Sequence, residues 1–148
     1  MYQGLLHTHW LLAVLVLIVL LLAVGNMLMG VAGKKEFGKA SQKLSLFSLI
    51  FAHLQLVVGL ILYFVSPFGF KAFEAGNVMS DSFTRFYAVE HIAVNIIAII
   101  FITIGRSGLK RKDTDAAKFR HGLIFFGLGF VLLLSRVPWD RLFELPGA

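Results

Sequence analysis

Long stretches of the chain without a single charged residue constrain its fold more than any other feature. Residues 2 to 33 contain no Lys, Arg, Asp or Glu, and neither do residues 44 to 70. Each stretch exceeds the roughly 20 residues that a helix needs to cross the hydrocarbon layer of a bilayer. The chain is 58% hydrophobic and only 15% charged, and 148 residues offer too little interior to hide such an excess. The sequence therefore excludes a water-soluble globule and predicts an integral membrane protein.

Four membrane-spanning helices are predicted in a single domain, at about residues 8–30, 44–66, 82–105 and 115–136. Glu90 interrupts the third of these spans, and Lys118 and Arg120 lie in the first turns of the fourth. Long basic side chains at such positions can reach the lipid headgroups. The connections are too short for a second domain. The predicted fold class is therefore all-α, an integral membrane antiparallel four-helix bundle.

Lys and Arg are distributed unevenly among the connections. Four lie in residues 34–43 and six in residues 106–120, against none before the first span, two in residues 71–90 and two after residue 135. By the positive-inside rule, the two basic connections face the cytoplasm and both termini lie outside. The net charge of +6 is then a signal of membrane topology. The expected partner is the lipid bilayer, and nucleic acid is not expected.

Histidine is the residue type that carries the most functional information. The chain has no cysteine, which excludes disulfides, iron–sulfur clusters, c-type haem attachment and thiolate zinc sites. Every predicted span contributes at least one histidine, and the five are His7, His9, His53, His91 and His121. An ionisable side chain inside a membrane is costly and is by default a functional-site hypothesis. Any bound metal is expected on histidine, carboxylate or methionine.

The histidines can be grouped by depth at 1.5 Å of rise per residue. His7 and His91 fall in the outer half of the membrane, and His53 and His121 fall in the inner half. In a simple up-and-down bundle, spans one and three form one diagonal and spans two and four form the other. A b-type haem needs two axial imidazoles on opposite faces of its ring. We therefore expect one or two haem b groups, held by His53 with His121 and by His7 with His91.

Neighbouring residues bear on these predicted ligands. Gly129 lies on the face of His121 and would leave space for a planar ring, and Arg120 could pair with a haem propionate or reach the headgroups. Glu90 is predicted not to be a ligand, because adjacent helical residues point about 100° apart. Small and polar residues also form a stripe along span two, with His53 more than 90° from its centre; they are Ser45, Ser48, Ala52, Gln55 and Gly59.

Four segments of the chain carry a familiar pattern. They are Leu5-Leu6-His7-Thr8-His9, Ala52-His53-Leu54-Gln55-Leu56 running to Gly59-Leu60, Phe86-Tyr87-Ala88-Val89-Glu90-His91 running to Ile102-Thr103-Ile104-Gly105-Arg106, and Val137-Pro138-Trp139. Together they resemble a family of small four-span bacterial membrane proteins labelled cytochrome-b-like. The likeness covers nearly the whole chain, and it implies a bacterial inner-membrane location and haem b as the cofactor.

The family's motif histidines fall on His7, His53, His91 and His121 of this chain, and His9 also matches. The chain departs from the family pattern in span one, where Leu11-Leu12-Ala13 replaces an expected Arg-Trp pair. The diagonal pairing is also similar in architecture to the four-helix core of the cytochrome b561 class, which binds two haems.

The sequence supports three function hypotheses. The first is that the haem protein is an electron carrier, rather than a catalyst with its own substrate, and passes electrons between a quinol pool or membrane dehydrogenase and an outer acceptor. Quinone and other membrane redox subunits are its expected partners. The second is a cofactor-free accessory or assembly subunit of a larger membrane complex. The third is an outer copper or zinc site on His7, His9 and Glu90, which requires a frayed start of span one because the two histidines otherwise point about 200° apart.

Overall fold

The computed structural model describes residues 1–144, and within them the chain is helical and has no β-strand. The four long helices are α1 (Tyr2–Gly33), α2 (Lys39–Val65), α3 (Ser82–Arg111) and α4 (Asp115–Ser135). A short helix, α5 (Trp139–Leu142), follows them. All four long helices are long and apolar enough to cross a membrane. The sequence prediction of four long apolar helices is therefore confirmed.

α3 is not a uniform α-helix. It begins with one α-helical turn, Ser82–Arg85, continues as a π-helical segment, Phe86–Glu90, and becomes α-helical again over His91–Gly108. The residues Leu109–Arg111 close it as a 3-10 turn. Short π-helical segments within α-helices are rare and occur frequently at functional sites. This one ends immediately before His91.

Polar residues fix the two ends of the connection between α2 and α3. The hydroxyl of Ser66 accepts a hydrogen bond from the Phe68 amide at 3.1 Å, immediately after α2 ends at Val65. The Asp81 carboxylate caps α3 by accepting from the Thr84 hydroxyl and, at 2.8 Å, from the Thr84 amide. These hydrogen bonds hold the pKa of Asp81 below its usual value.

The four long helices pack in a ring, in which α1 and α3 each contact α2 and α4. Large apolar side chains fill the centre; the most deeply buried are Leu20, Met27, Ile102, Phe119 and Phe126. Gly30 of α1 lies directly under the Phe119 ring, where a Cβ would overlap it. Glycine at this position therefore allows α1 and α4 to approach closely.

Side-chain contacts distinguish the two ends of the helix bundle. At one end the Trp10 indole donates to the Leu142 carbonyl at 2.8 Å, and the Tyr63 hydroxyl donates to the Ala88 carbonyl at 3.1 Å. We call this the histidine end, because His9 and His91 lie there. At the other end Lys118 lies over the Phe37 ring, 5.8 Å from its centre. We call that the basic end.

Candidate functional site

Two histidines from opposite helices of the ring meet at the histidine end. Their ring centres, in His9 of α1 and His91 of α3, lie 6.3 Å apart, and the ring planes are inclined at 64°. His9 faces inward because it continues the heptad spacing of the buried residues Val16, Ala23 and Gly30 along α1. The pair thus joins the two helices that the sequence places on one diagonal.

His91 is oriented by a backbone carbonyl just after α4. Its Nδ1–H donates to the carbonyl oxygen of Arg136 at 2.8 Å, across the junction between α3 and α4. The Nε2 of His91 is then the unprotonated nitrogen, and the Asn95 amide lies 3.2 Å from it. A histidine that binds a metal ion commonly donates its other ring nitrogen to a carbonyl in this way.

His9 has a less complete set of partners. The Gln55 side-chain amide of α2 donates to its Nε2 at 3.3 Å, whereas its Nδ1 is buried and has no partner. Gly59 lies one turn further along α2, and a Cβ there would come within 3.1 Å of Cε1 of His9. The glycine therefore makes room for the imidazole between α1 and α2.

Three buried polar atoms without partners cluster around the two rings. They are Nδ1 of His9, Oε1 of Gln55 and Oδ1 of Asn95. A buried polar atom without a hydrogen bond costs about 1–3 kcal/mol. Three such atoms in one place fit a site that holds a bound molecule or ordered water.

Glu90 forms a charged bridge beside the histidine pair. Its carboxylate lies 3.0 Å from Nε of Arg85 and 3.6 Å from Nε of Arg136, and all three side chains are about one-third exposed. Glu90 therefore pairs with both arginines. Because the Arg136 carbonyl also accepts from His91, the bridge holds the residue that orients that imidazole.

The remaining histidines lie apart from this pair. His7 is exposed, on the opposite side of α1 from His9. His53 is also exposed, and its Nδ1–H donates to the Leu49 carbonyl of its own helix at 2.8 Å. The Nε2–H of His121 donates to the Ile104 carbonyl of α3 at 3.1 Å. The structure therefore brings together neither His53 with His121 nor His7 with His91.

Gly129 differs in setting from its predicted role, and Arg120 lies away from the histidine pair. A Cβ on Gly129 would lie 2.9 Å from the Ala98 carbonyl oxygen, so this glycine allows α3 and α4 to pack closely rather than leaving space for a ring. Arg120 is exposed at the basic end, beyond His121. Neither residue lies in the His9 and His91 cluster.

The copper or zinc hypothesis gains no support from the described residues. Within residues 1–144 no group of three or more His, Asp or Glu side chains is placed to hold a metal ion. Its three proposed ligands are separated, since His7 is exposed and Glu90 is engaged by two arginines.

From the sequence, His9 is expected as a ligand only in the copper or zinc hypothesis and not as a haem ligand, although a signal for its inward position exists. His9 is seven residues before Val16 and therefore shares the face that Ala23 and Gly30 continue, whereas His7 does not. Gln55 and Gly59 did appear in the small and polar stripe of span two, and this stripe is the inner face of α2.

No family model matches the chain, and no match was found among curated proteins or among solved structures. The function is therefore argued from the site itself.

Proposed function

We propose that this protein is a b-type cytochrome of the membrane, with one haem whose axial ligands are His9 and His91. The observation that carries the proposal is the 6.3 Å separation of the two ring centres. Two imidazoles that share one metal ion, each through a nitrogen about 2.0 Å from it, have ring centres about 6 Å apart. The two imidazoles also come from diagonally opposite helices of the bundle, so that a haem between them would have one ligand on each face.

The chemistry of the surrounding side chains fits this role. The hydrogen bond from Nδ1 of His91 leaves Nε2 of that ring as the metal-binding nitrogen. Nε2 of His9 accepts from the Gln55 amide and therefore carries the lone pair of that ring. Iron would bind there in place of the Gln55 amide, and Gly59 gives the imidazole room. The proposal thus replaces the two pairs expected from depth by a single pair at the histidine end.

A bound haem supplies one-electron transfer, and the protein supplies ligand orientation and electrostatics. The Arg136 carbonyl fixes the tautomer of His91, and the Gln55 side chain lies beside the imidazole of His9 on the neighbouring helix. Glu90 places a negative charge near the pair and balances the two arginines beside it. The redox partners in this proposal are quinol or a membrane dehydrogenase on one side and an outer acceptor on the other.

The same proposal includes placement in the bacterial inner membrane as an antiparallel bundle with both termini outside. Two observations support it. The start of α1 contacts the second half of α2 and the start of α3, as the pairing of His9 with Gln55 and His91 requires. Ten of the 14 Lys and Arg residues lie in the two connections at the basic end.

A cofactor-free accessory or assembly subunit is the second candidate, and one observation favours it. His91 and His121 each donate to a carbonyl beyond their own helix, at Arg136 and Ile104 respectively. Such bonds are sufficient reason for a histidine in a membrane bundle without any cofactor.

The absorption spectrum of the purified full chain separates the two candidates. The protein is produced in haem-replete cells, extracted in mild detergent and scanned in the oxidised and reduced forms. We expect a Soret band, an α-band on reduction and about one haem per chain, because the described residues offer one facing pair of imidazoles. A folded, monodisperse protein without a Soret band, even after titration with haemin, would favour the accessory subunit.

A further inference from the structure

The basic end contains a cavity between α2 and α3 that the haem proposal does not involve. Its volume is about 320 Å³, and its lining residues are Lys39, Gln42, Lys43, Leu46 and Arg106. Three of the five carry a positive charge. The cavity therefore combines largely apolar walls with three basic side chains, and it lies outside the apolar core.

Helical spacing explains why these side chains meet. Lys39, Lys43 and Leu46 follow one another at intervals of four and three residues and so share one exposed face of α2. Arg106 comes from the last turn of the α-helical part of α3, which packs beside α2. Two neighbouring helices thus supply the three charges.

Within residues 1–144 no acidic side chain forms an ion pair with Lys39, Lys43 or Arg106. The ion pairs found in the described part of the chain both involve Glu90, which lies at the histidine end. Like charges held close together raise each other's energy, and an anion placed among them removes that cost. The ligand that fits is therefore negatively charged.

The position of the cavity along the helices indicates the kind of anion. Lys43 immediately precedes the uncharged residues 44–70, and Arg106 immediately follows the uncharged residues 91–105. The cavity thus lies where the apolar part of each helix ends, at the expected level of lipid phosphates. Leu46 and Ile50 continue the same face of α2 into the apolar region and are 39% and 41% exposed. The acyl chain of a phospholipid can lie along these two side chains, whereas a free phosphate has no apolar part to place there.

We propose that this cavity binds the headgroup of an anionic phospholipid, with Lys39, Lys43 and Arg106 around the phosphate. Basic pockets between membrane helices bind anionic headgroups, and each nearby Lys or Arg contributes measurably to the attraction. The site is separate from the histidine end, so it holds whether or not the protein carries haem.

Lipid binding to the purified full chain in neutral detergent tests the proposal. The probes are phosphatidylglycerol, phosphatidylcholine with matched acyl chains, and inorganic phosphate, each titrated while bound lipid is counted by native mass spectrometry. The test variant combines Lys39→Gln, Lys43→Gln and Arg106→Gln. The control variant removes three charges at the same end but outside the cavity, by Lys110→Gln, Arg111→Gln and Lys112→Gln.

We expect wild type and the control variant to bind one phosphatidylglycerol at least about tenfold more tightly than phosphatidylcholine, and the test variant to lose this preference. If the triple variant does not fold, the single variant Lys43→Gln replaces it in the test, because Lys43 is exposed. This single variant should bind phosphatidylglycerol severalfold more weakly than wild type. Equal loss in the test and control variants would show only general attraction by the basic end and would overturn the site. If inorganic phosphate saturates the cavity and displaces the lipid, the ligand is a free phosphate and not a phospholipid, which would overturn the proposal.

Discussion

The contact between His9 and Gly59 has little clearance. A Cβ on Gly59 would already lie 3.1 Å from Cε1 of His9, and the methyl groups of valine would reach further into the space of the imidazole. We expect Gly59→Val to displace His9 and to remove most of the bound haem, at an overpacking cost of about 1–3 kcal/mol. Haem content per folded chain, from the pyridine haemochrome spectrum, measures the effect.

Gly127→Val is the matched control for this substitution. A Cβ on Gly127 of α4 meets nothing within 4 Å, while the backbone cost of valine in a helix is the same. The control should keep its haem. Equal haem content in Gly59→Val and Gly127→Val would show that His9 is not positioned by α2.

Glu90 allows a test of electrostatics without loss of a ligand. Glu90→Gln breaks the contacts with Arg85 and Arg136 but keeps the size of the side chain. We expect the haem to remain and its midpoint potential to rise, because removing a nearby negative charge favours the reduced iron. Partly exposed ion pairs contribute at most about 1 kcal/mol each, so the melting temperature should fall only slightly.

Redox titration of Glu90→Gln beside Glu74→Gln measures this shift. Glu74 lies in the exposed 3-10 helix Phe70–Ala75 and should leave the potential unchanged when neutralised. Loss of the haem spectrum in a folded Glu90→Gln protein would mean that the carboxylate binds the iron or is needed to hold His91.

At the residue scale, the sequence predicted a histidine pair between the first and third spans but assigned His7 to it, whereas the structure brings His9 beside His91. Depth alone cannot distinguish His7 from His9, because the two are only about 3 Å apart along the helix. The deciding feature is the helix face, and it becomes clear only when Val16, Ala23 and Gly30 are seen as one buried line. Gln55 and Asn95 matter through contacts between helices, which no local pattern states.

Among the helices, α3 and α4 meet closely at Gly108. A Cβ there would overlap Nε2 of His121, which donates to the Ile104 carbonyl. We expect Gly108→Ala to push the two helices apart and to lower the free energy of unfolding by about 1–3 kcal/mol. The haem should remain, because the proposed ligands lie at the other end.

Thermal unfolding in detergent, followed by circular dichroism, checks this expectation against Gly25→Ala. Gly25 of α1 has no atom within 4 Å of its ideal Cβ, and alanine there should be neutral or stabilising. A Gly108→Ala protein as stable as Gly25→Ala would show that the His121 contact does not hold α3 against α4.

The four long helices follow directly from uncharged length, whereas the π-helical segment does not. Periodicity analysis assumes a constant 3.6 residues per turn, but α3 widens over Phe86–Glu90. This segment is followed by His91, which bonds to Arg136, a residue 45 positions later in the chain. The hydrogen-bond partner of His91 cannot be read from the local pattern, so the third span could be located but its shape could not.

At the scale of the whole molecule, topology is the first quantity to test. The two connections at the basic end carry four and six basic residues, and we expect both to face the cytoplasm. A C-terminal alkaline phosphatase fusion should be active, and a C-terminal green fluorescent protein fusion should be dark. The reverse pattern would invert the membrane orientation, although it would leave the histidine pair unchanged.

The order of the four helices around the bundle was predictable from the sequence, but the direction of each side chain was only partly so. His53 and His121 lie at similar calculated depth on opposite helices, yet His53 is exposed on the outside of α2. The stripe from Ser45 to Gly59 already indicated this, since His53 lies more than 90° from its centre. Similar depth is necessary for two ligands of one haem, and a shared inner face is equally necessary.

Reduced-minus-oxidised spectra of single histidine variants test the central claim most directly. We expect His9→Ala and His91→Ala each to abolish the haem signal, and His7→Ala, His53→Ala and His121→Ala each to retain it at wild-type stoichiometry, because only His9 and His91 face one another. His7→Ala is the closest control, two residues from His9 on the exposed side of the same helix. Loss of the signal in His53→Ala and His121→Ala, with full retention in His9→Ala, would contradict the account and place the haem at the other end of the bundle.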